Sequence, residues 1–140
     1  MKKTFSAITV LIIAFTAFTL TGCSKDKQTQ LAGSEWDITS VGSPDGSYSL
    51  AVPVPLRLSF GKSGDVTLKL DVNSCMSTFT IQAPGKIKIE SFGCTKMCCD
   101  NESSEVVRAL LTEVTEYNIS PGKLELRASG KIISLVRQDN

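Results

Sequence analysis

The sequence predicts a mostly antiparallel β domain with one helix packed on the sheet. Three observations carry this. Val66, Leu68, Leu70 and Val72 alternate with Thr67, Lys69 and Asp71, a period of two. Val106, Val107, Leu110, Leu111 and Val114 form the one stripe with helical period. Clusters of Gly, Pro, Ser and Asp separate the apolar runs and read as turns.

Taken in order, Trp36 and Ile38 alternate with polar neighbours and place a first strand over Glu35–Val41. "GSPDGS" at 42–47 is turn chemistry. Pro53 and Pro55 favour extended backbone at a sheet edge or strand start. Leu56, Leu58 and Phe60 alternate with Arg57 and Ser59, and Gly61–Asp65 reads as a hairpin loop into the Val66–Val72 run. Thr78–Ile81 and Lys86–Glu90 flank "APG" as a second hairpin. The helix is expected over Glu102–Val114, with Asp100 or Asn101 as N-cap and Glu102 and Glu105 near its positive end. Strands resume at Tyr117–Ile119, Lys123–Ala128 and Lys131–Arg137, with turns at "SPG" and "SG". No repeat or low-complexity stretch interrupts them.

The first residues address export. Lys2 and Lys3 precede an uncharged apolar stretch that ends at Leu20-Thr21-Gly22, so residues 1–22 read as a secretory signal peptide. As a helix, Ala7–Leu20 would rise only about 21 Å, against roughly 30 Å of bilayer hydrocarbon. Leu20-Thr21-Gly22-Cys23 resembles the bacterial lipobox, which implies cleavage before Cys23 and acyl chains, palmitate among them, on that residue. Several chains on one residue anchor stably where one would be marginal. Residues 23–30 then read as a lipidated tether, and Ser24 fits outer-membrane sorting by the rule for enteric bacteria.

The full chain carries 15 Lys and Arg against 14 Asp and Glu, a net +1. Losing Lys2 and Lys3 with the signal leaves +1 − 2 = −1. No basic field for nucleic acid results. About 110 residues follow the tether, enough for one small domain. Its core is mostly Val, Leu and Ile, so a cross-link would help it.

The residues from about Leu31 to Val136 resemble the META domain, the family of HslJ-like bacterial envelope lipoproteins. "LAGSEWDITSVG" matches the family's opening, and "LRLSF" follows. Asn73, Ser77 and Phe79 fall where the family has an N-x-Y-x-G-x-Y run, and Thr95, Met97 and Cys99 match its T-x-M-x-C motif. Val72 stands where many members have a cysteine, Cys75 replaces an aromatic residue, and Cys94 and Cys98 are additions. The resemblance implies a domain over 31–137 with a small barrel-like β fold and a helix against it. It implies no general enzymatic activity, and an envelope role sometimes tied to stress or drug tolerance.

"CTKMCCD" at 94–100 puts three cysteines into seven residues, with Cys75 upstream. After export, disulfides become the default for Cys75, Cys94, Cys98 and Cys99. Four cysteines allow three connectivities. Cys75–Cys94 with Cys98–Cys99 needs a strained vicinal bridge. The other two tie Cys75 to Cys98 or Cys99, with Thr95 and Met97 packed inward and Lys96 in water. A loop of roughly twenty-odd residues closed this way contributes about 3 kcal/mol in the chain-entropy model. The competing reading is a Cu(I) or Zn site on the four thiolates with Met76 and Met97 as soft neighbours. Against it stand the absence of His and of C-x₂-C pairs. A thiol-redox site ahead of the helix is a third reading, though the spacing is C-x₃-C-C.

Without His, no Ser-His-Asp or Cys-His arrangement exists. Asp65, Asp71, Glu90, Glu113 and Glu116 read as solvated charges. The expectation is a non-catalytic protein without cofactor, lipid-anchored in the cell envelope at the outer membrane. Its partners would be the membrane, through the N-terminal lipid, and an unidentified envelope protein or ligand. A Cys23→Ala variant should remain unlipidated precursor or become soluble, as metabolic labelling with a fatty acid would reveal. Normal lipid labelling of that variant would remove the anchor reading.

Overall fold

Residues 30–138 are described by a computed structural model; the signal segment, Cys23 and nearly all of the tether lie outside them. The strands are β1 (Ser34–Gly42), β2 (Ser49–Phe60), β3 (Asp65–Lys69), β4 (Ser74–Ala83), β5 (Lys86–Ile89), β6 (Gly93–Cys94), β7 (Val114–Ser120), β8 (Lys123–Ala128) and β9 (Lys131–Arg137). A helix, α1 (Glu102–Leu111), stands between β6 and β7. Each long strand pairs antiparallel with its successor, β5 with β7, and β9 returns to β1. The result is an eight-stranded closed barrel in which the short β6 adds to β4 beyond the end of β5. Closure removes the free edges that an open sheet of this length would expose.

Alternation in the sequence becomes inside and outside of the barrel. Val66 and Leu68 on β3, Leu124 and Leu126 on β8, and Ile133 and Leu135 on β9 face in and are buried. Their neighbours Lys69, Arg127 and Val136 face out. Trp36, Leu58 and Phe60 fill the interior, with Phe60 edge-on to Phe79 at 5.0 Å between ring centres. A transmembrane barrel has the opposite arrangement, apolar outside. No helix among the described residues is long and apolar enough to cross a bilayer.

Two departures from strict alternation are bulges. β1 buries Trp36, Ile38 and then Val41, because its register shifts between Ile38 and Ser40 against both neighbours. One extra residue there returns Val41 to the interior. β7 does the same between Val114 and Glu116, so that Tyr117 and Ile119 point in.

The prolines sit as expected: β3 pairs only with Arg57–Phe60 of β2, leaving Pro53 and Pro55 without a partner on that side. In the 42–47 turn, Asp45 accepts hydrogen bonds from the Ser43 hydroxyl (2.6 Å), the Ser47 hydroxyl (2.7 Å) and the Ser47 N–H (3.0 Å). These hold its carboxyl down at about 2.

Two boundaries differ from expectation. β3 ends at Lys69, because the Leu70 N–H bonds back to the Asn73 carbonyl at 2.8 Å and closes a turn. Leu70 is buried, but Val72 is thrown to the surface. The helix stops at Leu111, and Val114 keeps its inward place as the first residue of β7. Between the two candidate caps, Asn101 is the N-cap: its side chain accepts from the Ser104 N–H at 2.9 Å.

The meander sorts the connections between two ends of the barrel. Loops 61–65, 84–85 and 121–122, with the start of β1, share one end. Loops 43–48, 70–73 and 129–130, the 94–101 segment and α1 share the other. α1 packs Val107 and Leu111 against β2 and β8 and closes that end. The thinnest seam is β5 to β7, with Lys86 opposite Glu116 as its one register pair and an ion pair between their side chains. Leu111→Ala should destabilise the domain by about 2–5 kcal/mol in urea melts, while Ala109→Ser on the exposed face should change little. Equal effects would mean that the helix is not a plug.

Candidate functional site

The residues singled out in the sequence meet at the helix-capped end, around Asn73. This side chain is buried in the turn between β3 and β4. Its Nδ2 donates to the Met97 carbonyl and to Asp100 Oδ2, both at 2.7 Å. Its Oδ1 accepts from the Thr95 hydroxyl (2.7 Å) and the Met97 N–H (2.8 Å). The amide therefore uses both donors and both acceptor positions. Asp100 answers through Oδ1, which accepts from the Val72 N–H (2.8 Å) and the Asn73 N–H (3.1 Å). Thr95 also receives the Ser74 N–H at 3.2 Å.

Burial pushes the Asp100 carboxyl up, but the bonds from Val72 and Asn73 outweigh it and hold the group below the ordinary carboxylate range. Asp100 is thereby committed to structure. The sequence suggested it only as a possible N-cap. The usable signal was an Asp directly beside the N-cap, with the Asn of the family motif upstream.

The cysteines do not assemble as expected. Cys75 is bonded to Cys94, and Cys98 to Cys99, the connectivity that the sequence reading set aside. The reason lies in β6, a strand too short to leave a sequence pattern. Cys75 and Cys94 are register partners on β4 and β6, with Cα atoms 4.0 Å apart. The Thr95 N–H donates to the Ser74 carbonyl at 3.0 Å, which makes Cys75–Cys94 a non-hydrogen-bonded pair, where opposed side chains come closest. Cys75 is fully buried in the core; Cys98 and Cys99 are exposed. A four-thiolate metal site is not favoured by this pairing.

Met97 and Thr95 do not pack inward either. Met97 is 64% exposed because its backbone turns toward Asn73, and Thr95 turns its hydroxyl to the same amide. Lys96 is exposed, as expected. Met76 is 66% exposed on the outer face of β4.

Beside this knot lies a cleft of about 290 Å³ between the 94–100 segment and α1. Leu70 and Phe92 supply its apolar part; Lys96, Asp100, Glu105 and Arg108 supply its charges. Arg108 is held by Glu105 at 2.6 Å. Inside the barrel, burial raises the Tyr117 phenol, against a smaller lowering from the Gly85 backbone.

A closed up-and-down β-barrel, plugged at one end by a helix that an Asn-centred knot starts, defines the class of protein. The META domain model matches residues 29–140, and the chain belongs to the META domain family. Among solved structures, it is similar to a protein from Burkholderia xenovorans (TM-score 0.66, 17% identity, 100% of both chains covered). It is also similar to a DUF4847 family protein from Bacteroides vulgatus ATCC 8482 (TM-score 0.60, 12% identity, covering 81% of this chain and 99% of that one). At such identities these likenesses concern the fold. No curated protein matches the sequence.

Asn73→Ala strands the Thr95 hydroxyl, both Met97 backbone groups and one Asp100 oxygen, and should cost about 2–4 kcal/mol in urea melts. Asp100 has a depressed folded pKa, so its contribution is full above the unfolded value of about 4 and is lost as pH falls through the folded one. The stability gap between wild type and Asp100→Asn should therefore hold from pH 7 to about 5 and shrink as pH falls below about 4 toward the folded value. A gap that widens on acidification would contradict this.

Proposed function

We propose that this is a non-catalytic envelope lipoprotein, anchored through acyl chains on Cys23 at the outer membrane, that presents its helix-capped end to another envelope component. The direction of β1 carries the reading. β1 starts at the end of the barrel opposite α1, so a tether would join the domain at the end away from the knot, the cleft and the exposed cysteines. Anchoring there would turn the Lys96–Arg108 cleft away from the bilayer. The polar outer face of the barrel and the commitment of Asp100 to structure support a binding role over catalysis. Membership of the META family is in keeping with an envelope role.

The test is a photo-crosslinking residue placed in intact cells of the native organism, at Lys96 on the helix-capped end or at Ser63 on the tether end. A discrete adduct with an envelope protein from position 96, lost in Cys23→Ala, is the expected result. Adducts only from position 63, or adducts unchanged in Cys23→Ala, would overturn it.

A further inference from the structure

Access controls thiol–disulfide exchange, because an attacking thiolate must reach a sulfur in line with the bond it breaks. The two bridges of this domain differ in access. Cys75 is fully buried in the core, and its partner Cys94 is half-buried on β6. Cys98 and Cys99 are both exposed, next to the exposed Met97. They also stand outside the bonding that shapes their segment. Met97 on one side is tied to Asn73 by its N–H and its carbonyl, and Asp100 on the other by its carboxylate. Among the described residues, neither Cys98 nor Cys99 takes part in a hydrogen bond. The hydrogen bonds that hold the segment are thus made by the residues on either side of the pair.

We propose that Cys98–Cys99 is a thiol–disulfide exchange site, opened by a dithiol protein reductant while Cys75–Cys94 stays closed. One thiolate of the reductant attacks an exposed sulfur, the Cys98–Cys99 bond breaks, and a mixed disulfide forms. The second reductant thiolate attacks the reductant's own sulfur in that mixed disulfide and releases the cysteine sulfur that was attacked first. The reductant leaves with one new disulfide, having lost two electrons, and its two protons end on Cys98 and Cys99. The freed sulfurs lie two and three residues ahead of the Asn101 N-cap, at the positive end of α1, which favours thiolate. The opened pair would place a vicinal dithiol on the segment whose Lys96 and Asp100 line the cleft. This goes beyond the anchoring proposal and does not depend on it, since it concerns the folded domain in solution.

The test uses the full chain, prepared from an oxidising compartment, in native buffer. Graded dithiothreitol is added, free thiols are capped with N-ethylmaleimide, and peptides are mapped by mass. Cys98 and Cys99 should be capped at dithiothreitol concentrations at least about tenfold lower than Cys75 and Cys94. After that first step, phenylarsine oxide should bind one to one, and a Cys98→Ser/Cys99→Ser variant should melt like wild type and bind none. Cys75→Ser should melt lower, which marks the other bridge as the staple. Simultaneous opening of all four sulfurs, earlier opening of Cys75–Cys94, or capping of Cys98 and Cys99 before any reductant would each overturn the proposal. The wild-type titration decides the matter even if a variant fails to fold.

Discussion

One primary amide, that of Asn73, organises the helix-capped end of this barrel. It sits where the β3–β4 turn meets a segment with almost no secondary structure of its own. By filling two donors and two acceptor positions, it supplies that segment with the partners a sheet would otherwise provide. Asp100 completes the exchange by taking two backbone N–H groups from the turn. The consequences run along the chain. Met97 and Asp100 are fixed, Asn101 next to them is placed to cap α1, and α1 is aimed across the barrel mouth. Asp at position 73 would lose both donors and face the Asp100 charge; Leu would leave several buried polar groups unpaired.

A second constraint is the small aliphatic core. Trp36, Phe60, Phe79 and Tyr117 are its large aromatic members, and the rest is mainly Leu, Ile and Val. A barrel of this size needs its ring closed and its mouth covered to keep those residues from water. β9 pairing with β1 does the first, and Val107 and Leu111 do the second. The bridge from Cys75 to Cys94 ties the same segment that Asn73 holds, so a covalent and a hydrogen-bonded link act within a few residues of one another. Cys98 and Cys99 lie on the surface of the same segment.

The same geometry separates the two ends of the molecule. The tether end carries short turns and the start of β1. The other end holds the cleft, the exposed methionine of the loop and the paired surface cysteines. Antiparallel order makes this separation unavoidable: with successive strands running up and down, connections fall alternately at opposite ends. Lys96, Asp100, Glu105 and Arg108 then give that end a local charge pattern that net charge alone does not reveal.

Much of the fold was legible in the residues. Period-two alternation marked the inward faces of β3, β8 and β9, because a strand with one buried face must alternate. The apolar stripe marked α1 for the equivalent reason at period 3.6. Turn chemistry located the hairpins, and the order of weak motifs indicated the family. What stayed hidden depended on contacts between distant segments. β6 is two residues long and exists only because β4 lies beside it, so the partner of Cys75 could not be read from spacing. Thr95 and Met97 looked like packing residues, yet their roles are a hydroxyl and a backbone peptide turned to Asn73. Local pattern determined which residues are inside the barrel, since burial of one face is repeated along each strand. Only the tertiary structure decided which loop meets which turn, because hydrogen bonds between segments more than twenty residues apart leave no period in the chain.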